Sequence, residues 1–144
     1  MRRWVLRGIA IVVAGFLAIQ LVPYGRSHDN PPVTAEPQWD SPATRDLAAR
    51  ACFDCHSNAT VWPWYTNIAP VSWITQRHVN EGRSKVNFST WGTGRQEAEH
   101  VGRQISSGEM PPWDYLLMHP SAQLTYEEKA QLIQGLQKTL GSGE

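Results

Sequence analysis

The stretch Cys52-Phe53-Asp54-Cys55-His56 holds both cysteines of the chain, three apart, with a histidine directly behind the second. Residues three apart share one face of a helical turn, so two such sulfurs can point along a single edge. This is the C-x-x-C-H attachment pattern of c-type haem. Each sulfur can meet one of the two vinyl groups on one porphyrin edge, and His56 can then turn its imidazole under the iron as proximal ligand. Two other uses of paired cysteines fit less well. A thioredoxin-type pair wants a βαβ setting, and the sequence has no alternating strand pattern of useful length. A zinc site wants about four ligands, and there is no second cysteine pair. The cofactor expected is therefore one covalently attached haem c.

A sixth iron ligand has to come from elsewhere in the chain. Met110 is the first choice, because it sits in Gly108-Glu109-Met110-Pro111-Pro112, where the prolines hold an extended loop that can carry a thioether to the iron. Met118, His78, His100 and His119 are the alternatives. His28 lies in a proline-rich stretch and is the weakest. Trp62, Trp64, Tyr65, Trp73, Phe88, Trp91 and Trp113 are candidate walls of the haem pocket, part of a high total of seven tryptophans. Arg77, Arg83 and Arg95 are candidate partners of the haem propionates.

Outward from the motif, helical signals dominate. A short helix is expected over 44–51, with Leu47, Ala48 and Ala51 on one side. Pro70 suits the first turn of a second helix, with Val71, Ile74, Val79 and His78 inward and an end near Gly82. A third is expected from about Arg95 to Ser107, stopped by Gly108. The last carries the clearest signature. Thr125 and Glu128 form a capping box, Ala130, Leu132, Ile133, Leu136 and Leu140 make an apolar stripe, and Gly141 ends it. The fold class expected is all-α, a small cytochrome c-like helical domain with long loops over 43–144.

Ahead of that domain lie two other segments. Arg2, Arg3 and Arg7 precede an uncharged, mostly apolar run over 8–22. Residues 1–24 read as one N-terminal transmembrane helix, an uncleaved anchor rather than a signal peptide, entering the membrane through 4–22. The arginines would stay cytoplasmic, which puts the haem domain on the periplasmic side of a bacterial inner membrane. Residues 25–42, with Pro31, Pro32, Pro37 and Pro42, read as an extended tether.

Charge excludes one large class of function. The chain has 13 basic and 13 acidic residues, and three of the basic ones are the N-terminal arginines. From residue 25 onward the balance is 10 − 13 = −3. No basic face for nucleic acid is expected.

Taken in order, these residues resemble the membrane-anchored bacterial haem-binding domain family, relatives of the small c-type cytochromes. The resemblance rests on residues 52–58, Trp62-Pro63-Trp64-Tyr65, residues 68–73, and His78 with Glu81, Gly82 and Arg83. It continues through Asn87, Phe88, Ser89 and Trp91, then residues 108–112 with Tyr115, and His119, Pro120, Ala122, Leu124 and Thr125. It implies one haem c with His56 proximal and Met110 distal. It also implies a proline carbonyl that accepts the His56 Nδ1 proton, with Pro70 in that role. The function then expected is one-electron transfer without enzymatic activity. The expected partners are redox proteins at the membrane and the cytochrome c maturation machinery. A haem-based sensor, or a haem subunit of a larger redox complex, is the alternative.

Overall fold

A computed structural model describes residues 1–92 and 100–141. Its regular elements are seven α-helices among the described residues: α1 (Arg2–Ile19), α2 (Pro42–Ala51), α3 (Phe53–His56), α4 (Val71–Lys85), α5 (Val101–Ser107), α6 (Trp113–Leu116) and α7 (Tyr126–Gly141). Two 3₁₀ turns, Trp64–Asn67 and Pro120–Ala122, lie among them. The only sheet-like contact among the described residues is one isolated parallel bridge, Ala35 with Thr90. The all-α expectation holds.

The chain divides into two compact units. One comprises Met1–Asp29 with Trp62–His78, the other Asn30–Val61 with Val79–Glu144.

In the second unit, α7 packs on α2 and α5. The core is Ala48, Ala51, Val86, Phe88, Ile105, Leu124, Leu132 and Leu136, with Trp39, Phe53, Cys52 and Trp91 packed against it. Burying a side chain such as Leu132 or Phe88 contributes about 1.5–3 kcal/mol. α2 starts two residues earlier than its apolar pattern suggests, because Ser41 accepts the Thr44 N–H and Pro42 fills the first helical position. α7 begins with the expected capping box: Thr125 Oγ1 accepts the Glu128 N–H, and the Glu128 carboxylate accepts the Thr125 N–H. Leu132 and Leu136 are fully inside, whereas Ala130 is exposed. α2 and α7 meet at Gly135, where an added Cβ would lie 2.1 Å from Thr44 Oγ1.

α4 corrects two expectations. It runs past Gly82 to Lys85, and of its apolar residues Val79 is buried while Val71 and Ile74 are partly exposed. α5 ends at Gly108 in the left-handed conformation, as expected. The start expected near Arg95 lies outside the described residues.

The N-terminal segments also depart from expectation. Among the described residues no helix is long and apolar enough to cross a membrane. α1 has 18 residues, about 27 Å at 1.5 Å per residue. Arg2, Arg3 and Arg7 occupy its first turns, which leaves residues 8–19, about 18 Å, against the ~30 Å of a hydrocarbon core. It stops at Ile19, and the Gln20 side chain that follows bonds both the carbonyl and the N–H of Ala69. The 25–42 segment is no free tether. Within the second unit, Asn58 Nδ2 donates to the Pro32 carbonyl, Thr34 and Ala35 donate to the Ser89 carbonyl, and the Trp91 N–H donates to Ala35. Glu36 takes two bonds from Arg45, at 2.7 and 2.8 Å, and one from Trp39 Nε1.

Candidate functional site

The cysteine turn grows directly out of the core. Ala51, the last residue of α2, is buried, and Cys52 caps α3 while packing against that core. The Cys55 and His56 N–H groups both donate to the Cys52 carbonyl, so Cys52, Cys55 and His56 share one tight turn. Both thiols are unbridged and half-buried. Burial pushes each thiol up to about 12. For Cys52 the nearby Cys55 adds to the effect. For Cys55 the charges of Asp54 and Asp114 add, and Arg83 opposes. Neither is a thiolate at neutral pH in the haem-free chain.

His56 Nδ1 lies 3.0 Å from the Val86 carbonyl oxygen. A carbonyl can only accept, so Nδ1 carries the proton and Nε2 is left with its lone pair, the form that binds iron. Burial lowers the imidazole's affinity for a second proton, while the carbonyls of Val86 and Gly82 pull the other way. The assignment of this acceptor to Pro70 is therefore overturned. The Pro70 carbonyl accepts the N–H groups of Trp73 and Ile74 and opens α4. A backbone acceptor has no side-chain signature, so its position could not be read from residue types.

The loop after His56 is held by buried polar groups. The Phe88 N–H donates to the His56 carbonyl at 2.8 Å. Asn87 Nδ2 donates to Asn58 Oδ1, Ser89 Oγ accepts the Asn58 N–H, and Ser57 Oγ donates to the Phe53 carbonyl. Arg83 donates to the Ser57 carbonyl, Thr60 Oγ1 and Asn30 Oδ1. Its guanidinium is therefore engaged in fixing this loop. Arg77 is exposed on α4, and Arg95 lies outside the described residues.

Phe88 centres the aromatic packing. It lies against Trp39, Phe53 and Trp91, and its ring centroid is 6.5 Å from that of His56. Trp113 is largely exposed. In the other unit Trp62 stacks on His28, whose Nε2 contacts Thr66, and Trp64 is exposed.

Met110 stands half-buried in a bend after α5, its N–H donating to the Gln104 carbonyl, with buried Pro111 next to it. Of the alternative ligands, His119 bonds the Tyr115 carbonyl through Nδ1 and stacks on the Tyr115 ring. His100 caps α5 in an exposed position, His78 lies in α4, and Met118 is exposed. Among the described residues no group of three or more His, Cys, Asp or Glu could hold a bare metal ion.

Two unbridged thiols and an imidazole with the correct tautomer, all on one turn, form a donor set that fits haem. The family model for the haem-binding domain matches residues 14–138, nearly the whole chain. The chain belongs to the haem-binding domain family. No curated protein and no solved structure matches it. Within the haem-binding domain, sequence reasoning missed three features of the site: the Val86 acceptor, the close approach of Gly82 to Cys55, and the bond between Asp54 and Tyr115. Gly82 and Tyr115 both belong to the motifs that carry the resemblance, but a glycine late in a helical pattern reads as a helix end, and a tyrosine carries no local signal of a partner 61 residues away.

Proposed function

We propose that this haem-binding domain attaches one haem c covalently through Cys52 and Cys55, with His56 proximal and Met110 distal, and that it works as a one-electron carrier. The observation that carries this reading is the turn itself. Cys52 and Cys55 are unbridged on one turn, and His56, next to them, has its Nδ1 proton held by Val86. When bound, the iron supplies a one-electron couple, and Met ligation raises its potential relative to a second histidine. The chain's own part is to fix the imidazole tautomer through Val86, to back it with Phe88, and to hold the loop after it through Asn58, Asn87 and Arg83. No catalytic residue and no enzymatic activity are proposed.

The reading extends to location and partners. Haem attachment of this kind takes place outside the cytoplasmic membrane, so the domain is proposed for the periplasmic side of a bacterial inner membrane. Cytochrome c maturation proteins would load it, and membrane redox proteins would exchange electrons with it. α1 buries no residue, and its apolar side chains are exposed with the arginines gathered at one end. Membrane association through residues 4–22 is proposed on that ground. The haem protein should then be recovered with the membrane fraction.

The deciding experiment for the function is the reduced spectrum with and without carbon monoxide. An unchanged spectrum supports a closed six-coordinate carrier. A rapid shift would replace that reading with a sensor.

A further inference from the structure

Asp54 stands between the two cysteines, and every oxygen it has is in use. Its carbonyl accepts Thr60 Oγ1–H at 2.7 Å, and Oδ1 accepts the Val61 N–H at 2.9 Å. Oδ2 accepts the Tyr115 hydroxyl at 2.7 Å, across 61 residues of chain. That last distance is in the short range of an O–H donor on a carboxylate, a bond about twice as strong as its neutral counterpart. Tyr115 belongs to α6, the helix that follows Met110 and the two prolines. Its ring is also fixed, because His119 stacks on it at 4.0 Å between centroids and 12° between planes, with His119 Nδ1 on the Tyr115 carbonyl.

The Met110 loop is thus bonded at both ends. Upstream, the Met110 N–H holds the Gln104 carbonyl of α5. Downstream, Tyr115 ties α6 to the carboxylate of Asp54, which shares a single turn with Cys52, Cys55 and His56. The geometry points to Asp54 and Tyr115 as a positioning pair that holds the distal-ligand loop against the haem-attachment turn and so sets how firmly Met110 stays on the iron. This rests on the Met110 ligation proposed above. Neither residue touches the iron. They act through the loop, because losing the bond frees α6 to shift while leaving the cysteine turn in place.

The test uses the full chain matured with haem, as wild type, Tyr115→Phe, Asp54→Asn, the double variant and Met110→Ala. Tyr115→Phe keeps the ring on His119 and removes only the hydroxyl. Covalent haem per chain and helical content should match wild type. The far-red sulfur-to-iron band should fade at a lower temperature, and carbon monoxide should bind the ferrous protein roughly tenfold faster, the scale of one lost bond to a charged group. The double variant should be no faster than the faster single variant, since the two groups act as one unit. If Tyr115→Phe does not load haem, Asp54→Asn, which can still accept the Val61 N–H, carries the same comparison. Band and carbon monoxide rate within twofold of wild type in both single variants, while Met110→Ala opens the iron, would overturn the pair's role and leave the ligation intact. A wild type with no band and no response to Met110→Ala would remove the ligation, and the positioning role with it.

Discussion

Gly82 in α4 lies so close to the backbone of Cys55 that an added Cβ would stand 2.3 Å from the Cys55 carbonyl oxygen and 2.8 Å from its carbon. Nothing flexible is available there to move aside. A mid-helix glycine is usually a cost of about 1 kcal/mol relative to alanine. Here the close approach outweighs that term. Gly82→Ala is expected to lose about 1–2 kcal/mol net, as overpacked sites do. It should also lower the yield of covalent haem, because the displaced backbone carries Cys55. Chemical denaturation and haem staining of denatured protein measure the two effects.

Covalent attachment gives the most direct outcome. Wild type matured with haem should keep its colour through denaturation and acid–acetone extraction. Cys52→Ser and Cys55→Ser should each retain haem through one thioether, with a shifted spectrum, and the double variant should lose it all. Complete extraction from wild type would remove the c-type assignment.

Met110→Ala should abolish the far-red band, open the iron to carbon monoxide and lower the potential, since a thioether favours the ferrous state. His78→Ala, His100→Ala and His119→Ala should leave the band in place. A native spectrum in Met110→Ala, with the band lost in one of the histidine variants, would transfer the ligand role to that histidine.

Arg83 separates a structural arginine from a haem-pairing one. Arg83→Gln removes charge-assisted bonds to Ser57, Thr60 and Asn30. A loss of about 1.5–3 kcal/mol in stability is expected. The potential of the loaded protein should barely change. A large potential shift with unaltered stability would restore a propionate partner at this position.

His56 ties stability to pH in the haem-free chain. Burial depresses its folded-state pKa, so the unfolded chain, titrating near its usual ~6.5, takes up the proton first. Stability is then full above that value and falls as pH drops through it toward the folded pKa. Denaturant midpoints at pH 7.5 and 5.5 should show this, and His56→Gln should remove that part of the dependence.

Local signals in the sequence reached far, and non-local ones did not. The capping box of Thr125 and Glu128, the Gly108 stop and the buried faces of Leu132 and Leu136 are properties of a few neighbouring residues, and they stand where they were expected. The cysteine turn was legible for the same reason. The Val86 acceptor was not, because any residue can offer a carbonyl. Gly82 misled because a glycine that ends a helix and one that admits a neighbouring backbone look alike in sequence. The proline-rich stretch misled because proline breaks a helix interior but permits an extended run to bond through its carbonyls, as Pro32 does with Asn58.

That extended run has a practical consequence for dissecting the molecule. A fragment starting at residue 43, where the composition changes, would lack the partners of Asn58, Ser89, Trp91, Arg83 and Arg45, and the cap that Ser41 gives α2. A fragment starting at Asn30 would keep all of them. The minimal expression boundary for the haem-bearing unit therefore falls before the prolines.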